Sequence, residues 1–323
     1  MSLLEVQELN VWFDLASGGE LHAVQGVSFE LDAGERFGLV GESGCGKTTA
    51  ILALMGLLPP NASVAGQVLL EGEDVLARGE RTVAPHRWRD VAMVFQGAMN
   101  AFNPVKRIGE QIVEPMELHG VAQGREARRQ AGELLERVGI PAERAARYPH
   151  EFSGGMRQRA AIAMALACQP KILLADEPTT ALDVMVQAQI LELLVALAHD
   201  FGLALVLVTH DLPVVAQVCD RAAVMYAGEI VEAGPTDALF HEPRHPYTRL
   251  LFAATPDLYG EEPVASIPGT PPRLDRPIVG CPFRPRCDRA FAPCGDVHPP
   301  LKAVAPARVA ACHLNDVPEA VAS

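Results

Sequence analysis

The sequence predicts an α/β fold, and three observations carry that reading. Two short, wholly apolar runs, Ile172–Ala175 and Leu205–Val208, are what buried parallel strands look like, and the helix-favouring stretch Val184–Asp200 joins them as a crossover. A glycine-rich turn at 41–46 sits between the strand-like run Arg36–Val40 and a helical stretch. Beyond about residue 255, prolines and four of the seven cysteines crowd the chain and regular structure should be sparse.

The elements follow in order. Val27–Leu31 and Arg36–Val40 read as strands broken by Asp32-Ala33-Gly34, and a helix is expected at 47–58, ended by Pro59-Pro60. Val91–Phe95 is a short strand. Residues 105–165 hold helix formers such as Arg125–Val138 and few strand signals, which predicts a helical insertion at about 100–165. Val224–Tyr226 and Glu229–Glu232 flank Ala227-Gly228 as a hairpin. The expected division is 1–255 as one α/β domain and 256–323 as a short irregular extension rich in Pro and Cys.

Size and charge narrow the function classes. The chain has 323 residues, 49% of them hydrophobic, which allows a large core. A formal net charge of −13 argues against nucleic acid as a partner. It says nothing against a phosphate ligand, which is held by local amides and a lysine. No stretch of about 18 or more apolar residues runs without charges, so no membrane-spanning helix is expected. The start, 1–13, lacks a basic segment followed by a long apolar run, so a cytoplasmic location is expected.

Gly41-Glu42-Ser43-Gly44-Cys45-Gly46-Lys47-Thr48 fits G-x-x-x-x-G-K-[ST] at every position, with Thr49 next to it. Glycines let successive N–H groups turn inward onto phosphates, and the helix that follows adds partial positive charge. Lys47 would reach the β- and γ-phosphates, and the Thr48 hydroxyl would ligate Mg²⁺. The alternative is a chance glycine-rich turn, disfavoured by the strand before and the helix after. Asp176 and Glu177 emerge at the end of the apolar run Ile172–Ala175, where open α/β sheets bind ligands. Asp176 would hold Mg²⁺ through water, and Glu177 would act as general base on the attacking water. Taken alone, that pair reads equally well as a strand ending in solvent. His210 follows the run Leu205–Val208 closely and could touch the γ-phosphate, although a lone histidine is more often a cap or surface group. Gln96 follows the run Val91–Phe95 and could bridge Mg²⁺ and water, although a glutamine at a strand end is usually bland.

Phe152-Ser153-Gly154-Gly155-Met156-Arg157-Gln158-Arg159 resembles the signature motif of ABC-transporter ATPases, commonly Leu-Ser-Gly-Gly-Gln. The resemblance implies a P-loop NTPase cassette: a RecA-like core, an antiparallel β subdomain and a helical subdomain. It also implies that Ser153, Gly154 and Gly155 cover the γ-phosphate of ATP held by an opposite subunit in a head-to-tail dimer. Asp183, in Ala181-Leu182-Asp183, matches the D-loop at that interface. Phe13, or its neighbour Trp12, is placed like the aromatic that stacks on adenine. Tyr148-Pro149-His150-Glu151 ahead of the signature, Asn103-Pro104 with Ile108-Gly109-Glu110-Gln111-Ile112, Arg244-His245-Pro246-Tyr247, and Ile267-Pro268-Gly269-Thr270-Pro271-Pro272 are similar to the oligopeptide/dipeptide importer branch. That branch implies an ATP-hydrolysing subunit peripheral to the cytoplasmic face of the membrane. Its partners would be a second ATPase subunit (heterodimer favoured over homodimer), two integral-membrane permease subunits and, indirectly, an extracellular solute-binding protein. The stretch 97–110 would lie near the permease. The competing readings are a soluble non-transport ABC ATPase and an exporter subunit.

Cys281, Cys287, Cys294 and Cys312 lack the tight pairs of a structural zinc site. Four thiolates can hold a [4Fe–4S] cluster, whose cysteines tolerate varied spacing, and the importer branch has members with such a cluster in this tail. Zinc and free thiols are the alternatives. Arg284, Arg286 and Arg289 interleave the cysteines and could offset a cluster's negative charge.

Overall fold

The protein is described from a computed structural model that covers residues 2–97, 101–254 and 267–316. The described residues form two compact units. The first gathers the chain up to Leu31, Arg36–Ala77 and the part from Val208 onward, and the second holds Asp32–Glu35 and Arg78–Leu207.

The first unit opens with β1 (Leu4–Asp14) and β2 (Glu20–Leu31), paired antiparallel with Leu4 opposite Leu31. Leu4, Val6, Leu9 and Val11 are buried, and the register shifts between Val6 and Leu9, where Glu8 takes a positive φ of 48°. β3 (Arg36–Val40) buries Phe37, Leu39 and Val40 almost completely. α1 (Lys47–Leu54) follows the glycine-rich turn. It stops earlier than residue 58. Gly56 takes φ 59°, its N–H donates to the Ala53 carbonyl and that of Leu57 donates to the Leu52 carbonyl, so a glycine cap ends the helix before Pro59 is reached. β4 (Ala62–Leu70) and β5 (Glu73–Asp74) complete a four-stranded antiparallel sheet in the order β2-β1-β4-β5.

The second unit starts with α2 (Glu80–Val83) and β6 (Val91–Val94), then α3 (Ile108–Leu118), α4 (Gly124–Arg137) and α5 (Gly154–Ala165). This is the predicted helical stretch. Buried Gln111 on α3 stitches the loop ahead of it: its Oε1 accepts from Asn103 N at 2.8 Å, and its Nε2 donates to the Asn103 and Lys106 carbonyls, each at 3.1 Å. Gly109 has no room for a side chain, because a Cβ there would lie 2.9 Å from the Ala145 carbonyl oxygen. β7 (Ile172–Asp176) is parallel to β6, with Val91 opposite Ile172 and Val94 opposite Ala175. α6 (Val184–Phe201) crosses over to β8 (Ala204–Thr209), whose first four residues belong to this unit. By length and composition alone α6 is apolar enough to cross a membrane, with a mean hydropathy of 1.4. Glu192 and Asp200, with Gln187 and Gln189, interrupt its aliphatic residues, so it is not a charge-free apolar stretch.

The chain returns to the first unit with α7 (Leu212–Val218), β9 (Arg221–Tyr226) and β10 (Glu229–Pro235). β9 lies parallel to β3 and antiparallel to β10, and the predicted turn Ala227-Gly228 joins the hairpin. α8 (Thr236–His241) and α9 (Pro246–Ala253) follow. Among the described residues of the extension regular structure is sparse: besides three short 3₁₀ turns there are β11 (Lys302–Ala305) and β12 (Arg308–Ala310), and β12 pairs with β10, Ala310 opposite Glu232. Fully buried Glu232 receives Arg308 Nη2 at 3.2 Å and the backbone N–H groups of Arg244 and His245 at 2.8 and 2.9 Å. Phe283, 1% exposed, packs edge-on to Tyr226 at 5.2 Å between ring centres and lies 5.3 Å from Tyr247. A strand pairing, a buried ion pair and an aromatic cluster thus fasten the extension to the first unit.

Candidate nucleotide site and cysteine cavity

In the first unit the turn 41–46 leaves β3 and enters α1. Gly46 caps that helix at φ 105°, and a Cβ there would come within 2.5 Å of the Ala23 carbonyl oxygen, so only glycine fits. Lys47 is buried, with its Nζ donating to the Gly41 carbonyl at 2.7 Å and the Glu42 carbonyl at 3.0 Å. The ammonium is therefore already inside the loop, held by carbonyls that a stronger anionic acceptor can replace. Cys45 Sγ lies 3.7 Å from Nζ, and burial pushes this thiol up despite the adjacent lysine. The backbone N–H of Glu42 donates to Tyr247 Oη at 2.9 Å. Thr48 and Thr49 fall in the first turn of α1.

At the end of β8 the Thr209 hydroxyl accepts from Asp211 N at 3.0 Å, and Asp211 caps α7 by accepting from Val214 N at 3.4 Å. His210 stands exposed between them. Trp12 stacks on His22 at 4.6 Å and 18° and, with Glu20, Gln25 and the stretch 274–278, lines an open pocket in which Phe13 has no part.

In the second unit β7 delivers Asp176, 2% exposed, and Glu177 follows with a positive φ of 43°. A bulky residue in that region is strained, and such strain gathers at functional sites. Two side chains hold the carboxylate by the same oxygen: Gln96 Nε2 donates to Glu177 Oε2 at 2.8 Å and Thr180 Oγ1 donates to it at 2.9 Å. Gln96 lies two residues beyond the end of β6. Thr180 was missed, although its place three residues after Glu177 in a turn is the signal that finds it. Asp183 caps α6, its Oδ1 accepting from Val186 N at 3.0 Å. Ser153 caps α5, its Oγ accepting from Met156 N at 3.3 Å, which fixes the helix tip with the Gly154 and Gly155 amides at its start. Gly155 also lets α6 approach, since a Cβ there would lie 2.8 Å from Val186 Cγ1. Part of the stretch 97–110, namely 98–100, lies outside the described residues.

Cys281, Cys287, Cys294 and Cys312 line one cavity with His245, Phe283, Arg284 and Arg289. None is in a disulfide, and burial pushes the Cys281 thiol up to about 11 and the Cys312 thiol up to about 12, with the other thiols adding to it. Among the described residues no group of three or more His, Cys, Asp or Glu is drawn together to hold a single metal ion. Arg286 is placed otherwise than the sequence reading expected. Unlike Arg284 and Arg289 it does not line the cysteine cavity, and it forms a two-point ion pair with Glu42 of the glycine-rich turn.

The sequence matches the family described as ABC transporter over residues 24–180, and that described as oligopeptide/dipeptide transporter, C-terminal region, over 231–294. It is 47% identical over 313 residues to the oligopeptide transport ATP-binding protein OppD of Salmonella typhimurium, covering 96% of this chain and 93% of that protein. The chain belongs to the ATP-binding subunits of the ABC peptide-transporter family. The dipeptide transport ATP-binding protein DppD of Bacillus subtilis is 46% identical over 320 residues, 97% of this chain and 95% of its own. Among solved structures, the dimeric ATP-binding cassette MJ0796 in a post-hydrolysis state bound to ADP and Pi superposes with a TM-score of 0.64 at 28% identity, over 72% of this chain and 98% of that one. The fold is accordingly that of an ABC ATPase cassette, and this ABC subunit is an ATPase. The match of its C-terminal region to the transporter family sets aside the soluble, non-transport reading.

Proposed function

We propose that this ATPase energises import of oligopeptides or dipeptides through a permease carried on other chains, working at the cytoplasmic face of the membrane. The observation that carries its chemistry is the doubly held Glu177 carboxylate at the end of β7. In this reading Glu177 is the general base, and Gln96 and Thr180 aim it at a water in line with the γ-phosphate. Lys47 exchanges its carbonyl partners for the β- and γ-phosphates, while the amides of Gly41–Thr49 cradle them. Thr48, Gln96 and Asp176 are the residues that would hold Mg²⁺, which neutralises charge on the transferred phosphoryl group. His210 is assigned to the γ-phosphate, and Ser153, Gly154 and Gly155 to the phosphate held by the opposite subunit, with Asp183 beside them. Trp12 or Phe13 stacks on adenine. The pocket beside Trp12 favours the tryptophan.

The partners in this reading are a sister ATPase subunit, two permease subunits and a solute-binding protein outside the cell. Support comes from the high identity along the chain to subunits of peptide transporters. The four cysteines of the extension are proposed as ligands of a [4Fe–4S] cluster that ties down a tail with little core of its own. Four thiols around one cavity support that donor set. Affinity purification of the chain from membranes of its native cells tests the assignment. Co-elution with two permease subunits and peptide-stimulated ATP hydrolysis are expected, and a monomer that never associates with membrane proteins would refute it.

A further inference from the structure

The glycine-rich turn carries an acid at its second position, where a polyanionic ligand is to be bound. Left unpaired, the Glu42 carboxylate would oppose the phosphates. Arg286 meets it: Nη1 donates to Glu42 Oε2 at 2.6 Å and Nη2 donates to Oε1 at 2.9 Å. The arginine side chain is 3% exposed and that of the glutamate 26%. Two parallel charge-assisted bonds fix direction as well as charge. The guanidinium is also anchored within its own segment, Nε donating to the Pro268 carbonyl at 2.7 Å, so it is held in place independently of Glu42. The Glu42 backbone is held separately by Tyr247 Oη. Arg286 belongs to the cysteine-bearing extension and immediately precedes Cys287.

We propose that Arg286 is a positioning residue of the phosphate site: it neutralises Glu42 and turns its carboxylate away from the incoming phosphates, which makes ATP affinity depend on a residue of the C-terminal extension. The inference rests on the reading of 41–48 as the phosphate loop.

Binding of fluorescent N-methylanthraniloyl-ATP with Mg²⁺ to the full chain tests it. Arg286→Met should weaken binding about tenfold, more at low salt, because an unpaired carboxylate then faces the phosphates. Adding Glu42→Gln to that variant should recover affinity to within about threefold of the unmodified chain. Glu42→Gln alone, which retains the arginine, should bind at least as tightly as the unmodified chain. A merely structural clamp predicts the reverse, a double variant as weak as Arg286→Met. That result, or Arg286→Met binding within about twofold of the unmodified chain, overturns the proposal. If Arg286→Met does not fold, weakened binding by Glu42→Gln overturns it. Lys47→Ala serves as the separate check on the phosphate loop: binding undiminished in that variant would refute the loop assignment itself, whatever Arg286 does.

Discussion

Glu177 accepts hydrogen bonds from two side chains at its carboxylate. Its backbone sits in a region that non-glycine residues avoid, and Gln96 and Thr180 converge on one oxygen of its carboxylate. If it is the base, Glu177→Gln should keep ATP binding within a few-fold and lower steady-state turnover by about 10²–10⁴. Near-normal turnover in a phosphate-release assay would remove it from that role. Thr180→Val removes one of these donors, and turnover should fall about ten- to a hundredfold with little change in KM, as expected when a bond to a charged group of roughly 1.5–3 kcal/mol is lost. At this scale the motif residues were legible, because glycine spacing and a carboxylate at a strand end leave a local mark. Thr180 and Arg286 were not. The first left only a weak local mark, a hydroxyl three residues after Glu177, and the second depends on a contact between positions 42 and 286 that no local pattern records.

Among elements, α5 and α6 tie function to capping. Ser153 and Asp183 each cap the helix they precede, so residues assigned to the intersubunit site also hold their own backbone in shape. Ser153→Ala should therefore cost about 1 kcal/mol of stability and, in the assembled transporter, most of the hydrolysis rate, while the separate chain still binds ATP. Loss of binding by the separate chain would contradict the assignment across subunits. Gly155→Val drives a side chain into Val186 and should destabilise the second unit by about 1–3 kcal/mol in chemical denaturation. The apolar runs that became β3, β7 and β8 were plain in the sequence, because strands buried on both faces need unbroken aliphatic stretches. β1 and β4 escaped notice. Their burial is broken by a register shift and by exposed residues such as Ala65 and Gly66, so neither strict alternation nor a continuous apolar run survives. α1 ends short of the expected residue 58 because Gly56, with its positive φ, caps it ahead of Pro59.

For the molecule as a whole, composition marked the extension as short of core, and the structure explains how it is nevertheless held. Arg308 and Glu232 form a buried pair between β12 and β10, and removing one partner strands a buried charge. Arg308→Ala should cost about 3–5 kcal/mol, measured by urea unfolding, whereas a loss below about 1 kcal/mol would show that the anchor lies elsewhere. Protein purified without oxygen should contain iron and acid-labile sulfide, and zinc alone would overturn the cluster assignment. The central claim is that ATP is enclosed between the Lys47 loop of one ATPase subunit and the Ser153 helix tip of its neighbour. The most direct measurement is the distance from Ser153 Oγ to the nearest γ-phosphate oxygen in a structure of the assembled transporter, trapped with ATP through Glu177→Gln. The account predicts a hydrogen bond of about 3 Å to the nucleotide held by the other subunit; a serine far beyond hydrogen-bonding reach of any γ-phosphate in the closed assembly would contradict it.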